Sequence, residues 1–295
     1  PWDFDAIAAI PSNARVGVIG TSLTAVDAVL LLNAQGHQGS ISCCARHRAL
    51  PRVQGAGSGY KLQTISIGML RRLTEDYQRT LSLRELRALL EDELNAIPDC
   101  SQLALEHFNQ IFDGDYRQLT AEQRLECFTE SVGRAERDES TLYDVLDSLG
   151  KVTPWAWRAL SRRDRSYFMR RYYSRWTMHR HCIPLNSARQ LVDLQRQGQM
   201  DTIVGMTGVA TTSNRFGVTV SYTERDRSHD REFDYLINAA GTPMSLRSLD
   251  SVLLRSMHAS GEIREHIAGG IVGVCLFGAQ VNRFRQQQPL RRGLA

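Results

Sequence analysis

The feature that most limits the fold is a run of about thirty residues near the start of the sequence. Residues 15–20 (RVGVIG) are apolar and β-branched, which indicates a buried parallel strand. Residues 23–34 (LTAVDAVLLLNA) have apolar side chains at helical spacing, and Gly36 follows as a helix-ending residue. Residues 40–45 (SISCCA) resemble a second strand. The run therefore predicts one βαβ mononucleotide-binding half.

The turn between the first strand and the helix is similar to a degenerate G-x-G-x-x-G fingerprint. Gly20 is expected to form the tight turn, while Ser22 and Ala25 replace the second and third glycines. Free N–H groups at a helix start attract phosphate. A small-residue turn that binds no nucleotide is the alternative, because such turns are frequent in α/β proteins. The residues expected to hold a pyrophosphate are Gly20, Thr21, Ser22, Leu23 and Thr24.

The end of the second strand carries basic side chains where an adenosine ribose would lie. Arg46, His47 and Arg48 stand there without a carboxylate. An acidic residue would accept a hydrogen bond from a free ribose 2′-hydroxyl, whereas arginine pairs with a 2′-phosphate. We therefore expect Arg46 and Arg48 to favour NADPH over NADH. A solvated basic loop is the alternative.

Helical periodicity dominates the middle of the sequence, and an α/β pattern returns after it. The charged run 224–230 is expected to be an exposed connection between strands of an antiparallel meander. Glu91, Asp92 and Glu93 are expected to form a solvated helix face and not a catalytic pair. The predicted helices are 81–95, 121–136, 141–149, 155–176, 185–197 and 246–260, and the predicted later strands are 202–204, 209–212, 217–223 and 232–238.

These patterns together predict an α/β fold, a Rossmann-like parallel sheet with an antiparallel β-meander and a large helical insertion. Residues 1–67 and 182–245 are expected to form the NAD(P)-binding domain, and residues 68–181 the helical insertion. The segment 233–243 (FDYLINAAGTP) ends an apolar strand in small residues. Such an end lets the chain pass close beneath a dinucleotide, so Ala240 and Gly241 are further candidate contacts.

A cluster of arginine, histidine and aromatic residues spans 170–181. Guanidinium groups there would suit a carboxylate or phosphate, so Arg175, His179 and Arg180 are candidate substrate-binding residues. The alternative is an amphipathic helix whose aromatic side chains pack inward while the arginines face water. His179 and His181 predict no metal site, because no third ligand is indicated.

Composition narrows the classes of partner. The formal net charge of +4 and the isoelectric point near 8.9 favour anionic ligands. Six cysteines without metal-binding spacing indicate reduced thiols, as in a cytoplasmic protein. No apolar run approaches the roughly 20 residues that span a bilayer, so no membrane association is expected.

Three stretches resemble a known family, the YdhS-like FAD/NAD(P)-binding proteins. They are the opening 53 residues from PWDFDAIAAI to ALPRV, the run WTMHRH at 176–181 followed by Pro184, and DYLINAAG at 234–241. This family is related to nitrosuccinate-forming L-aspartate N-monooxygenase and to domains of the FAD-dependent urate hydroxylase type. The resemblance covers residues 1 to about 270.

The resemblance implies an NADPH-binding portion of a FAD-dependent oxidoreductase, of the monooxygenase type, acting on a small anionic substrate. In such families a FAD domain with its own G-x-G-x-x-G precedes this region, and the chain returns to it at the end. Neither FAD segment is recognisable here, so FAD is expected to be held mainly by residues outside this sequence. Residues 246–295 are expected to be a remnant of that domain with a basic tail.

Other functions stay open at this point. A stand-alone NAD(P)-dependent dehydrogenase would need an acid beside the nicotinamide, and no such group is identifiable. The basic residues of 158–180 would suit a module that binds nucleic acid or a protein partner, although the dinucleotide turn argues against nucleic acid. A non-catalytic dinucleotide-binding fragment is the remaining alternative. The sequence identifies no catalytic acid or base.

Overall fold

A computed structural model describes residues 3–57, 59–98, 102–211, 217–241, 245–246, 249, 251–265 and 271–273. The strands are β1 (Val16–Ile19), β2 (Ile41–Ala45), β3 (Met200–Val204), β4 (Met206–Thr211), β5 (Val218–Glu224), β6 (Arg227–Phe233), β7 (Tyr235–Asn238), β8 (Ile263–Glu265) and β9 (Ile271–Gly273). The helices are α1 (Phe4–Ala8), α2 (Leu23–Ala34), α3 (Ile67–Leu73), α4 (Leu83–Asn95), α5 (Gln102–Asp113), α6 (Ala121–Glu136), α7 (Thr141–Ser148), α8 (Thr153–Ala159), α9 (Arg162–Arg171), α10 (Tyr173–Arg180), α11 (Leu185–Arg196) and α12 (Val252–Ala259).

Two compact units divide the chain. The first consists of Pro1–Thr64, Leu89–Gly150 and Arg171–Gly241. The second consists of Ile65–Ala88, Lys151–Arg170 and the described part of Thr242–Ala295. The predicted division into 1–67 with 182–245, 68–181 and 246–295 separates the sheet from the helices, and it stays a prediction. The predicted basic tail lies outside the described residues.

A four-stranded parallel sheet forms the centre of the first unit, in the order β3-β2-β1-β7. Val16 of β1 is in register with Ile41 of β2 on one side and Tyr235 of β7 on the other. The inner strands are buried on both faces, which explains why they read as continuous apolar runs. The predicted Rossmann-like class is confirmed, and α2 occupies the predicted bounds 23–34.

The core of the first unit lies between this sheet and three helices. Helix α2 contributes Val29 and Leu32, and α11 contributes Leu191, all at most 1% exposed. Phe128 and Val132 of α6 join the same buried cluster. Helix α6 has the predicted bounds 121–136 and begins with a capping box formed by Thr120 and Gln123. Among the described residues, no helix is both long and apolar enough to cross a membrane.

The antiparallel meander β4-β5-β6 is present, but its third strand differs from the prediction. The charged run 224–230 is not a connection: β5 continues to Glu224, and Arg225 and Asp226 turn the chain at φ values of 47° and 62°. Arg227 then begins β6, whose pairing runs back to Val218. Most of β6 is an exposed edge strand, which tolerates charged side chains, so polarity concealed this strand.

The predicted strand 232–238 is two strands in two different sheets. Its break is Asp234, whose carboxylate accepts hydrogen bonds from Arg15 N at 2.8 Å, Nε at 3.2 Å and Nη2 at 2.7 Å. These bonds hold the chain at the start of β1, and β7 then enters the parallel sheet. The Arg15 guanidinium lowers the pKa of Asp234 to about 2. This ion pair therefore fixes the point where the chain leaves the meander.

The predicted helix 155–176 is wrong as a single element, because it is three helices. In the second unit, Leu160 leaves the helical conformation and bridges Leu81, whose N–H donates to Ala159 O at 2.8 Å. Ser161 then starts α9 by accepting from Asp164 N at 3.0 Å. Ser-x-x-Asp is a helix-start signal, so this break was visible in the sequence.

Glu93 is not part of a solvated helix face, contrary to the prediction. Its side chain is completely buried in the first unit. The carboxylate accepts from Tyr60 Oη at 2.6 Å, from the N–H groups of Gln63 at 2.6 Å and Thr64 at 2.8 Å, and from Thr64 Oγ1 at 2.7 Å. A buried carboxylate needs donors for its oxygens, and these four bonds supply them. Glu93 therefore fastens the segment 60–64 to α4.

We expect Glu93→Gln to lower the free energy of unfolding by roughly 2–4 kcal/mol, because an amide presents N–H groups to donors that need an acceptor. Urea denaturation measures the difference. The matched control is Asp92→Asn on the exposed side of the same helix, with a change within about 0.5 kcal/mol. Equal losses in the two variants would contradict the assigned role of Glu93.

Candidate dinucleotide site

The carboxyl ends of β1, β2 and β7 meet at one edge of the parallel sheet, and the predicted turn lies there. Gly20 follows β1 with a φ of +121°, and its N–H donates to Cys44 O of β2 at 2.7 Å. A Cβ at this position would lie 2.5 Å from Ala239 O, which follows β7. Only glycine fits both the backbone conformation and the approach. Gly20 therefore lets the ends of β1 and β7 close against each other.

The start of α2 faces this edge in a form suited to an anion. Ser22 is the N-cap residue in extended conformation, and within the described part of the chain its side chain makes no capping hydrogen bond. The first turn, with the sequence LTAV, carries no carboxylate. The N–H groups of Leu23 and Thr24 have no carbonyl one helical turn earlier to bond. They are thus available to a phosphate, together with the positive end of the helix dipole.

Thr21 connects this turn to the segment after β2. Its side chain is buried, and Oγ1 donates to Arg48 O at 3.3 Å. The Arg48 side chain is half-buried and donates through Nη1 to Thr177 Oγ1 at 3.0 Å. Burial lowers the pKa of this guanidinium. Arg46 is exposed at the end of β2. Of the two arginines predicted to meet the 2′-phosphate, Arg46 faces solvent and Arg48 is attached to α10.

The end of β7 completes the arrangement. Ala239 N donates to Ile19 O at 2.9 Å, and Ala240 N donates to its neighbour Asn238 Oδ1 at 3.2 Å. Ala240 N lies 3.4 Å from the position of a Cβ on Gly20. Gly241 follows at a φ of +83°. The fold thus brings the predicted small-residue segment against the predicted turn, although they are more than two hundred residues apart in sequence.

The three predicted substrate-binding residues lie in different surroundings. Arg175 is directed at the end of α5, where it donates to Ile111 O at 2.9 Å, Phe112 O at 2.6 Å and Gly114 O at 2.5 Å. Arg180 pairs with Asp147 of α7 at 3.1 Å. His179 is 2% exposed and lines a small cavity. The structure does not combine these side chains into one clamp.

His179 has polar neighbours that the sequence did not indicate. Arg52, His107 and Arg134 line the same cavity. Burial, together with the charges of Arg52 and Arg134, lowers the pKa of His107 to about 3. These residues are scattered over four segments without a common motif, so only the fold reveals the cluster. Within the described part of the chain, no group of three or more His, Cys, Asp or Glu side chains is suited to hold a metal ion.

Comparison with known proteins gives matches among solved structures. No family model matches the chain, and no curated protein matches it. A lysine monooxygenase from Nocardia farcinica is similar with a TM-score of 0.29 and 14% identity, covering 80% of this chain and 34% of the enzyme. An ornithine N-hydroxylase from Kutzneria sp. 744 has a TM-score of 0.35 and 14% identity, covering 88% and 41%. An L-lysine 6-monooxygenase from Pseudomonas syringae has a TM-score of 0.38 and 13% identity, covering 89% and 42%. The chain therefore spans less than half the length of each of these enzymes.

We expect Gly20→Ala to cost clearly more stability than Gly36→Ala. Both glycines have positive φ, at +121° and +78°, but a Cβ on Gly36 meets nothing within 4 Å. Gly36→Ala should therefore lower the free energy of unfolding only by the cost of a positive φ for alanine, about 1–2 kcal/mol. Gly20→Ala must in addition push apart the ends of β1 and β7. Urea denaturation of both variants measures the difference. Equal losses would show that the ends of the two strands are not tightly apposed.

Proposed function

We propose that this chain is the NADPH-binding portion of a FAD-dependent oxidoreductase of the monooxygenase type, N-hydroxylase-like, acting on a small anionic substrate. The observation that supports it best is the closed Gly20 turn at the carboxyl edge of a parallel sheet ordered β3-β2-β1-β7. Ligands of such sheets bind outside the carboxyl ends of the strands, where the strand order reverses. Here that point lies between β1, which leads to β2, and β7, which is reached last.

The residues of the turn fit a pyrophosphate. The N–H groups of Leu23 and Thr24 would donate to its oxygens, and the Ser22 hydroxyl would add a side-chain donor. Gly20 and Thr21 form the floor of this site, because one has no Cβ and the other turns its side chain inward to Arg48 O. Ala240 and Gly241 would border the dinucleotide from β7.

The segment after β2 would distinguish the two nicotinamide cofactors. Arg46 is the exposed guanidinium at this edge and would pair with the 2′-phosphate of NADPH. Arg48 would stabilise the site without contacting the cofactor. Its carbonyl accepts a hydrogen bond from Thr21, and its side chain donates one to Thr177. When bound, NADPH would supply a hydride for flavin reduction, and this chain would hold and orient it.

The remaining parts of the proposal rest on the sequence. The resemblance to YdhS-like proteins supports FAD as the second cofactor, held mainly by residues outside this sequence. The division into an NAD(P)-binding domain at 1–67 and 182–245 with a helical insertion at 68–181 belongs to the same proposal. The net positive charge supports an anionic substrate.

A module that binds nucleic acid through residues 158–180 has less support. Arg175 is directed at backbone carbonyls of α5, and Arg180 pairs with Asp147. In the second unit, the Arg158 guanidinium lies over the ring of Tyr77, 4.5 Å from its centroid. These three arginines are therefore not part of an open basic surface of the kind that nucleic acid requires.

We expect Thr24→Glu to weaken NADPH binding at least tenfold while the protein stays folded. A carboxylate in the first turn of α2 repels the pyrophosphate but interacts favourably with the helix dipole. Thr24→Gln is the matched control, of equal size without the charge, and should change the Kd less than threefold. Calorimetric titration measures both, with thermal unfolding as the check on folding. Equal affinity of the two variants would place the pyrophosphate elsewhere.

We expect Arg46→Ala to weaken NADPH binding about tenfold to a hundredfold and to leave NADH binding almost unchanged, because only NADPH carries the 2′-phosphate. Parallel calorimetric titrations with the two nucleotides measure the ratio. Arg189→Ala, which removes another exposed arginine, paired with Glu136, is the control for net charge. Failure of the unmodified protein to bind either nucleotide would refute the proposed function.

A further inference from the structure

A second polar site lies inside the first unit, in a cavity away from the turn. Its walls come from Val53 in the loop after β2, from α5 and α6, from the start of α7 and from the end of α10. The volume is about 50 Å³, which suits a group of a few non-hydrogen atoms and excludes a dinucleotide. None of the residues predicted to bind the cofactor lines it.

Arg52 supplies the first charge at this cavity. Its Nη1 donates to Cys127 O at 3.3 Å and its Nη2 to Gln110 Oε1 at 2.8 Å. The third guanidinium nitrogen, Nε, is buried without a hydrogen-bond partner among the described residues. Both partners of Arg52 are neutral, so its charge has no direct counter-ion in these bonds. A buried unpaired donor on a charged group is costly, and a bound acceptor would remove that cost.

Arg134 supplies a second charge. Its Nη1 lies 3.3 Å from His107 Nδ1, and its side chain is 11% exposed. Its Nη2 pairs with Glu130, whose side chain is 54% exposed. Glu139 also lines the cavity, but its two carboxylate oxygens accept from Arg137 at 2.9 and 2.8 Å. Glu130 and Glu139 therefore already have arginine partners.

Two histidines line the cavity, His179 fully buried and His107 half-buried, and both are affected by the arginine charges. Burial lowers the pKa of His107 and of His179, and the charge of Arg52 lowers both further. Arg134 acts on His107 in the same direction. Both rings are consequently neutral near pH 7, and each can present an N–H to an anion. Tyr116 Oη lies 3.5 Å from His179 Nε2 on one side of this ring.

The start of α7 adds backbone donors. Residues 140–143 line the cavity, and Ser140, the N-cap residue, makes no side-chain capping hydrogen bond within the described part of the chain. N–H groups at a helix start favour an anion. Asp144 stands in the same turn but is not among the lining residues.

We propose that this cavity binds a small oxyanion, a carboxylate or phosphate group, between the guanidinium groups of Arg52 and Arg134. The histidine rings and the first N–H groups of α7 would supply the remaining hydrogen bonds. This site does not depend on the proposed cofactor function. It would take either a free small anion or the anionic end of a larger molecule.

The test uses inorganic phosphate and acetate as separate probes, at constant ionic strength with chloride as the balancing anion. Thr24→Glu serves as the background, because its carboxylate closes the dinucleotide turn to phosphate. Calorimetric titration should show saturable binding of one anion per chain. The Kd for phosphate compared with the Kd for acetate shows which of the two oxyanion classes the cavity prefers. Absence of saturable binding of both probes would overturn the proposal.

In that background, we expect Arg134→Gln to raise the anion Kd at least tenfold. Arg189→Gln is the matched control, since it removes an arginine that pairs with Glu136 and does not line this cavity. Equally weakened anion binding in both variants would mean that the affinity depends only on net charge. Unchanged anion binding in Arg134→Gln would mean that the anion binds elsewhere. Either result overturns the proposal.

Two further measurements separate binding from folding. His107→Phe keeps both arginines and should raise the anion Kd several-fold. It therefore tests the site if an arginine variant fails to fold. In the unmodified protein, NMR signals of the His107 and His179 rings should shift on titration, whereas exposed His229 should not. NADPH binding should be unchanged by Arg134→Gln, so the cavity and the cofactor proposal can fail independently.

Discussion

The close approach of Gly20 to Ala239 O is the constraint on which the candidate site depends. A parallel strand buried on both faces must carry apolar side chains along its length, and the polar functions can only begin where it ends. At that end, the distance of 2.5 Å between a Cβ position on Gly20 and Ala239 O leaves no room for a side chain. The same turn aims the first N–H groups of α2 at the edge of the sheet. The packing of β1 against β7 and the position of the candidate phosphate donors therefore both depend on Gly20.

Polar side chains hold distant segments around this core. Arg15 joins the start of β1 to Asp234, and Glu93 collects four donors from the segment 60–64. Arg124 of α6 donates to Thr202 O at 2.9 Å and pairs with Glu224 at 3.0 Å. Each connects elements that meet only in the folded chain. Buried groups of this kind stabilise when fully bonded and are costly when one partner is lost.

The sequence predicted the elements whose signal is local. Helices α2 and α6 have the predicted bounds, because apolar spacing and end signals agree there. Strand β6 was missed because an exposed edge strand needs no apolar side chains. The helix break at Leu160 was missed although Ser161 and Asp164 form a local start signal for the next helix. Glu93 and the cluster around His179 could not be predicted, since their partners come from separate segments. The turn carries a motif, and the cavity carries none.

Hydrogen–deuterium exchange with and without NADP+ tests the central claim most directly, because it reports on the backbone N–H groups that would bind the pyrophosphate. We expect slower exchange in peptides that cover Gly20–Thr24, Arg46–Arg48 and Ala240–Gly241, with little change in the meander β4-β5-β6. Protection restricted to other segments, or none at saturating NADP+, would contradict a dinucleotide site at the carboxyl edge of this sheet.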